Sequence, residues 1–148
     1  MIEPLVADSV LNAVRSSDLH GYELRQFAMV QLDRLPGYDW SGIYRLEDDL
    51  ILDAYVGAET DHIRIPIGRG VCGTAVAENA NQVISDVRAL SNYLSCSTQT
   101  RSEIVVLIRD GDRVLGQIDI DGHAVGAFDA SDEAMLVGLA EILAERWD

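Results

Sequence analysis

Residues 103–121 read Glu103-Ile-Val-Val-Leu-Ile-Arg-Asp-Gly-Asp-Arg-Val-Leu-Gly-Gln-Ile-Asp-Ile-Asp121. The apolar run Ile104 to Ile108 has the look of a buried strand, and Val114 to Asp121 returns beside it. Alternation puts Ile118 and Ile120 on one face of the returning strand and Asp119 and Asp121 on the other. A two-residue turn at Asp110-Gly111 would pair Glu103 with Ile118 and mix polar with apolar residues on both faces. A three-residue connection, Asp110 to Asp112 with Gly111 near the left-handed region, sets Ile104 opposite Ile118 and Ile108 opposite Val114. Glu103 then falls opposite Asp119, and one face is wholly apolar. A slip of one residue inverts every side chain, so the apolar pattern favours the second register. Glu103, Asp119 and Asp121 converge on one face of a sheet. Carboxylates so placed need a cation, hydrogen-bond donors or a shared proton. Just upstream, Cys96 stands in the polar loop Cys96-Ser-Thr-Gln-Thr-Arg-Ser102.

A chain of 148 residues suits one domain, 1–148, with enough core to need no disulfide scaffold. Eleven Lys plus Arg against 25 Asp plus Glu leave a formal charge of -14. So acidic a surface argues against nucleic acid and anionic membranes as partners. No signal peptide and no apolar run of membrane-spanning length is evident. Two cysteines fit a reducing, cytoplasmic setting.

Outward from the hairpin, Glu3 to Val14 carries a helical stripe of Leu5, Val6, Val10, Leu11 and Val14. A second helix over about 19–35 buries Leu24, Phe27, Ala28, Val30, Leu32 and Leu35, and Pro36-Gly37 ends it. Strands are expected over Trp40 to Leu46, Leu50 to Val56, His62 to Ile65 and Gln82 to Ile84. Val71 to Glu78 reads as a short helix and Ser85 to Thr100 as a long polar connection. Asp129 or Ser131 caps a closing helix that buries Met135, Leu136, Leu139, Ala140, Ile142 and Leu143. Helices over 1–35, sheet and pocket loops over 38–125 and a final helix over 129–147 make an α+β layer architecture. Gly68, Gly70 and Gly73 lack a following Lys-Ser/Thr and suit a tight turn better than a phosphate loop. His20, His62 and His123 lack ligand spacing with the cysteines, so no metal site is expected.

The chain resembles a GAF domain, and within that superfamily the free methionine-(R)-sulfoxide reductases. The match lies in Trp40-Ser-Gly-Ile-Tyr44, Arg64-Ile-Pro-Ile-Gly-Arg-Gly-Val-Cys-Gly-Thr-Ala-Val76, Cys96, Ser102-Glu-Ile-Val105 and Val114-Leu-Gly-Gln-Ile-Asp-Ile-Asp121. The resemblance implies a GAF-like central antiparallel sheet flanked by N- and C-terminal helices. It implies reduction of free methionine-(R)-sulfoxide at a thiol, with no cofactor and with electrons from a thioredoxin-like reductant. Cys96 sits at the family's catalytic cysteine and Cys72 at a second one. Glu103, Asp119 and Asp121 sit at its substrate-contacting acids, and Trp40 and Tyr44 at its aromatic walls. A third family cysteine is His62 here, and Gln117 stands where an apolar residue is usual.

The chemistry asks for a nucleophile at sulfur and a proton for the departing oxygen. The Cys96 thiolate suits the first role. One of the three clustered acids, held protonated by its neighbours, suits the second. Cys96 would become a sulfenic acid and form a disulfide with Cys72. Two other readings stand beside this one: a ligand-sensing module without catalysis, and a degenerate reductase that only binds methionine-like ligands. Cys72 among small apolar residues could equally be an inert core thiol. Helices at both ends suggest a homodimer.

Overall fold

The computed structural model describes residues 1–94 and 98–148. Eight of its elements fall where hydrophobic periodicity puts them within a residue or two: α1 (Pro4–Arg15), α2 (Gly21–Asp33), β1 (Trp40–Leu46), β2 (Leu50–Val56), α3 (Gly70–Glu78), β4 (Gln82–Ile84), β5 (Ser102–Asp110) and β6 (Arg113–Gly122). The closing helix α4 (Ala130–Glu145) falls within the expected span 129–147. Its N-cap is Asp129, whose carboxylate accepts from the Ser131 and Asp132 backbone while the Asp132 side chain accepts from Asp129 N–H. This reciprocal capping box satisfies donors that a helix start leaves open. The third strand, β3, shrinks to Arg64–Ile65.

The strands form one antiparallel sheet in the order β3-β2-β1-β6-β5-β4. Its centre is the β5–β6 hairpin, and there the register departs from expectation. Ile104 pairs with Ile120 and Glu103 with Asp121, where Ile118 and Asp119 were expected. Two local features cause the change. The turn is Gly111-Asp112 alone, with Asp110 paired to Arg113 and Gly111 at φ +61, the glycine-first form favoured in tight hairpins. A bulge between Ile108 and Arg109 then adds one residue to β5. Together they displace the register by two positions. A displacement of two preserves parity, so every side chain keeps its expected face.

One face of the sheet is dry. Ile43, Ala54, Ile104, Val106, Ile108, Ile118 and Ile120 pack against α1, α2 and α4 in a single apolar cluster. Each such isoleucine, fully buried, contributes about 1.5–3 kcal/mol. In α2 the buried set shifts from expectation: Met29 and Arg25 are fully buried, while Phe27 and Val30 are only half-buried. Arg25 tolerates burial because it is paired. Its Nε meets Asp53 at 2.6 Å, its Nη1 meets the Trp147 carbonyl at 2.5 Å, and its guanidinium lies 4.3 Å from the Trp147 ring centroid. In α1, Val10 and Val14 are buried but Leu5 and Val6 are exposed, the former at 82%. The opposite face of the sheet carries a second, smaller cluster beneath α3: Trp40, Tyr44, Leu50, Ile65, Val71, Cys72, Ala75, Val105 and Leu107. The acids lie on this face.

Candidate active site

Strand parity builds the site. On β6, Gln117, Asp119 and Asp121 point to the α3 side. On β1, Trp40 pairs with Asp121, Gly42 with Asp119 and Tyr44 with Gln117. On β5, Glu103 pairs with Asp121. From above, α3 lowers Cys72 until its Sγ lies 3.8 Å from Glu103 Oε2. The Gln117 amide donates to the Cys72 carbonyl at 3.1 Å and ties the helix to the sheet. None of these seven side-chain-bearing residues is more than 5% exposed. Three carboxylates, a thiol and two aromatic rings therefore share one buried volume.

The aromatic wall is fixed. Trp40 Nε1 donates to the Ala58 carbonyl at 3.0 Å, and its ring stacks on Tyr55 at 5.7 Å and 21°. The indole lies across Gly42, where a Cβ would come within 2.3 Å of the ring. Gly42 thus makes room for Trp40 beside Asp119. Tyr44 lies 6.5 Å from Trp40, centroid to centroid, and donates its hydroxyl to the His62 carbonyl at 2.9 Å. His62 itself is half-buried at this rim.

Burial decides the electrostatics. It pushes the Asp119 carboxyl up from its ordinary range, against partial opposition from Glu103, Cys72 and His62. Asp121 is pushed well up, first by burial and then by the negative charge of Asp119, with Glu103 opposing. Neither Asp119 oxygen has a hydrogen-bond partner among the described residues, and Asp121 Oδ1 also lacks one. Glu103 and Cys72 each bring a ligand atom within 4.8 Å of an Asp119 oxygen. An orphaned buried carboxylate is costly, so this cluster favours a cationic or hydrogen-bond-donating guest.

Two clefts border the cluster. One, of about 90 Å³, runs past Trp40, Asp121, Thr100, Gln99 and His123. The other, only about 10 Å³, is lined by Cys72, Glu103, Leu94, Val71, Ile65 and Arg69. A larger cleft, about 420 Å³, lies between α3, β4 and residues 90–92. It contains none of the carboxylates, and the unsatisfied acids identify the chemistry better than size does.

Of the residues singled out in the sequence, Trp40, Tyr44, Cys72, Glu103, Asp119 and Asp121 are brought together. Cys96 falls in 95–97, outside the described residues. Gln117 stood out in the sequence only as an unusual polar residue. Its parity with Asp119 and Asp121 could have placed it in the site. Gly42, between Trp40 and Tyr44 on the same strand face, carried a comparable signal. Tyr55 carried none, since its stacking depends on how β2 pairs.

The GAF domain family model matches residues 23–147. Free methionine-R-sulfoxide reductase of Escherichia coli is 40% identical over 114 residues, covering 76% of this chain and 67% of that protein. The solved structure of the Neisseria meningitidis free methionine-R-sulfoxide reductase in complex with its substrate superposes with a TM-score of 0.91 at 32% identity, covering 99% of this chain and 92% of that one. A type II free methionine-R-sulfoxide reductase from Thermoplasma acidophilum is 38% identical with a TM-score of 0.82, covering 93% and 94%. On the family match over residues 23–147 and on these identities and superpositions, the chain belongs to the GAF domain family and, within it, to the free methionine-R-sulfoxide reductases.

Proposed function

We propose that this chain reduces free methionine-(R)-sulfoxide to methionine, with Cys96 as nucleophile and the Glu103/Asp119/Asp121 cluster as substrate cradle and proton source. The observation that carries the reading is the buried carboxylate of Asp119, without a hydrogen-bond partner among the described residues, flanked by two more acids on the sheet face that also carries Trp40 and Tyr44. A free amino acid offers an ammonium to such a cluster, and its small methyl end suits an aromatic wall. A substrate carboxylate would be taken by loop N–H groups, since the cluster itself repels it. The relatives' names support this substrate class.

The steps balance as follows. The Cys96 thiolate attacks the sulfoxide sulfur, and a protonated member of the acid cluster gives its proton to the sulfoxide oxygen. Oxygen passes to Cys96 as a sulfenic acid, and methionine leaves as the thioether. The Cys72 thiol then displaces hydroxide as water and forms the Cys72–Cys96 disulfide. A thioredoxin-like dithiol returns both cysteines to thiols and leaves as its own disulfide. Burial, which raises Asp119 and Asp121, and the charge of Asp119, which raises Asp121 further, favour the protonated acid this step needs. A cytoplasmic setting supplies the reducing poise; among the described residues no helix is long and apolar enough to cross a membrane. The exposed Leu5 and Val6 on α1 support association as a homodimer.

Dithiothreitol-driven reduction of the separated R and S epimers, beside Cys96→Ser, tests the reading. Consumption of the R epimer alone, dependent on Cys96, is the expected result. Full activity of Cys96→Ser overturns the mechanism, and no turnover of either epimer leaves a binding module instead.

A further inference from the structure

Cys72, Glu103 and Asp119 come from three different elements, α3, β5 and β6, yet the sulfur and one oxygen from each carboxylate all lie within 4.8 Å of one another. All three residues are buried. The histidines gave no hint of this grouping, because spacing along the chain does not register contacts between a helix and the sheet beneath it. The second observation is Asp119 itself, wholly buried with both oxygens lacking a hydrogen-bond partner among the described residues.

We propose that Cys72, Glu103 and Asp119 form a binding site for a thiophilic divalent cation, zinc or its cadmium analogue, within the pocket of the reduced protein. The donor set selects the ion. One thiolate and two carboxylates match the borderline-soft preference of zinc, with a water or Asp121 completing four ligands. Calcium asks for six or more oxygens and magnesium for near-octahedral oxygen geometry, neither of which a thiol and two carboxylates supply. Ligand atoms around tetrahedral zinc stand about 3.5 Å apart, so side-chain rotation of about an ångström closes the present spread. Cys72 Sγ and Glu103 Oε2, at 3.8 Å, are nearly there. Binding releases the thiol proton and any proton held by the carboxyls to solvent. The cation neutralises charges that otherwise repel, and a chain of net charge -14 attracts cations from a distance.

An occupied site would deny the carboxylates to a substrate ammonium. That competition rests on the reading of the pocket given above, whereas metal binding does not.

The test is titration of the reduced, chelator-stripped protein with cadmium chloride, following the ultraviolet thiolate-to-cadmium charge-transfer band, and with zinc chloride against a zinc indicator. One equivalent should bind. The band should vanish in Cys72→Ala, persist in Cys96→Ser, and require about tenfold more metal or beyond in Asp119→Asn and Glu103→Gln. The two carboxylate variants keep both thiols, so they decide the matter even if Cys72→Ala folds poorly. A band that survives Cys72→Ala, one that vanishes only in Cys96→Ser, or wild-type affinity in both carboxylate variants would overturn the site. The titration contains neither sulfoxide nor reductant, so an inactive enzyme leaves its reading intact.

Discussion

The two faces of the sheet are built from the same three central strands and solve opposite problems. Against α1, α2 and α4, isoleucines interdigitate in a dry layer that gains stability from every methyl group it buries. Against α3, the same strands bury Glu103, Asp119, Asp121 and Gln117, groups that lose solvation and, for Asp119, find no hydrogen-bond partner among the described residues in return. The first face holds the fold together. The second is held in place by it, and its discomfort is what a ligand relieves. Such sites trade stability for activity, and mutations should separate the faces cleanly.

The largest effect falls on the acidic face. Asp119→Asn should lower turnover by about 10²–10⁴-fold, the usual worth of a positioned proton donor, yet raise the thermal midpoint by a few degrees because a neutral amide is cheaper to bury. A drop in both activity and midpoint, by assay and calorimetry on one preparation, would erase the distinction between the faces. On the dry face, Ile118→Ala should cost about 2–5 kcal/mol of stability and leave turnover per folded molecule near wild type, measured by denaturant titration and by assay well below the midpoint. Gly42→Ala sits between the two. Its Cβ would meet the Trp40 ring, so about 1–3 kcal/mol of overpacking should accompany a raised KM with a smaller change in kcat.

The smallest effect is a slope. Asp119 and Asp121 have pKa values raised in the folded state, by burial first and, for Asp121, by the charge of Asp119 as well. Their protonated forms contribute stability that is full below the unfolded value of about 3.9 and is lost as pH rises through the folded values. In that window the native state binds protons that the unfolded chain does not, so stability falls with rising pH. The difference in midpoint between Asp119→Asn/Asp121→Asn and wild type should therefore grow from acid toward neutral pH. A constant difference would show that both carboxyls titrate normally.

Much of this contrast was legible in the amino-acid order. Alternation alone put Ile118 and Ile120 opposite Asp119 and Asp121, and that survived a register wrong by two because parity was never at stake. The register itself was not legible. It depends on whether Asp110 pairs or turns and on a bulge at Ile108/Arg109, and local sequence tolerates several such solutions. The exposed Leu5 and Val6 look identical in sequence to the buried Val10 and Val14, since periodicity marks an apolar stripe but not how much of it the neighbours cover. Arg25 was invisible as a core residue because its burial depends on Asp53 and Trp147, distant in the chain. The proximity of Cys72 to Glu103 required the height of α3 above the sheet, which no spacing rule encodes.

The indole of Trp40 has a consequence for how a guest is recognised. Pinned by the Ala58 carbonyl, stacked on Tyr55 and bedded on Gly42, it has no alternative rotamer to give up. Ordering a side chain at an interface commonly costs about 0.5–1.5 kcal/mol, and this wall is ordered before anything arrives. A wall that is already still also cannot yield. Any guest that meets the indole meets a rigid mould, whose tolerance for size is set when the chain folds.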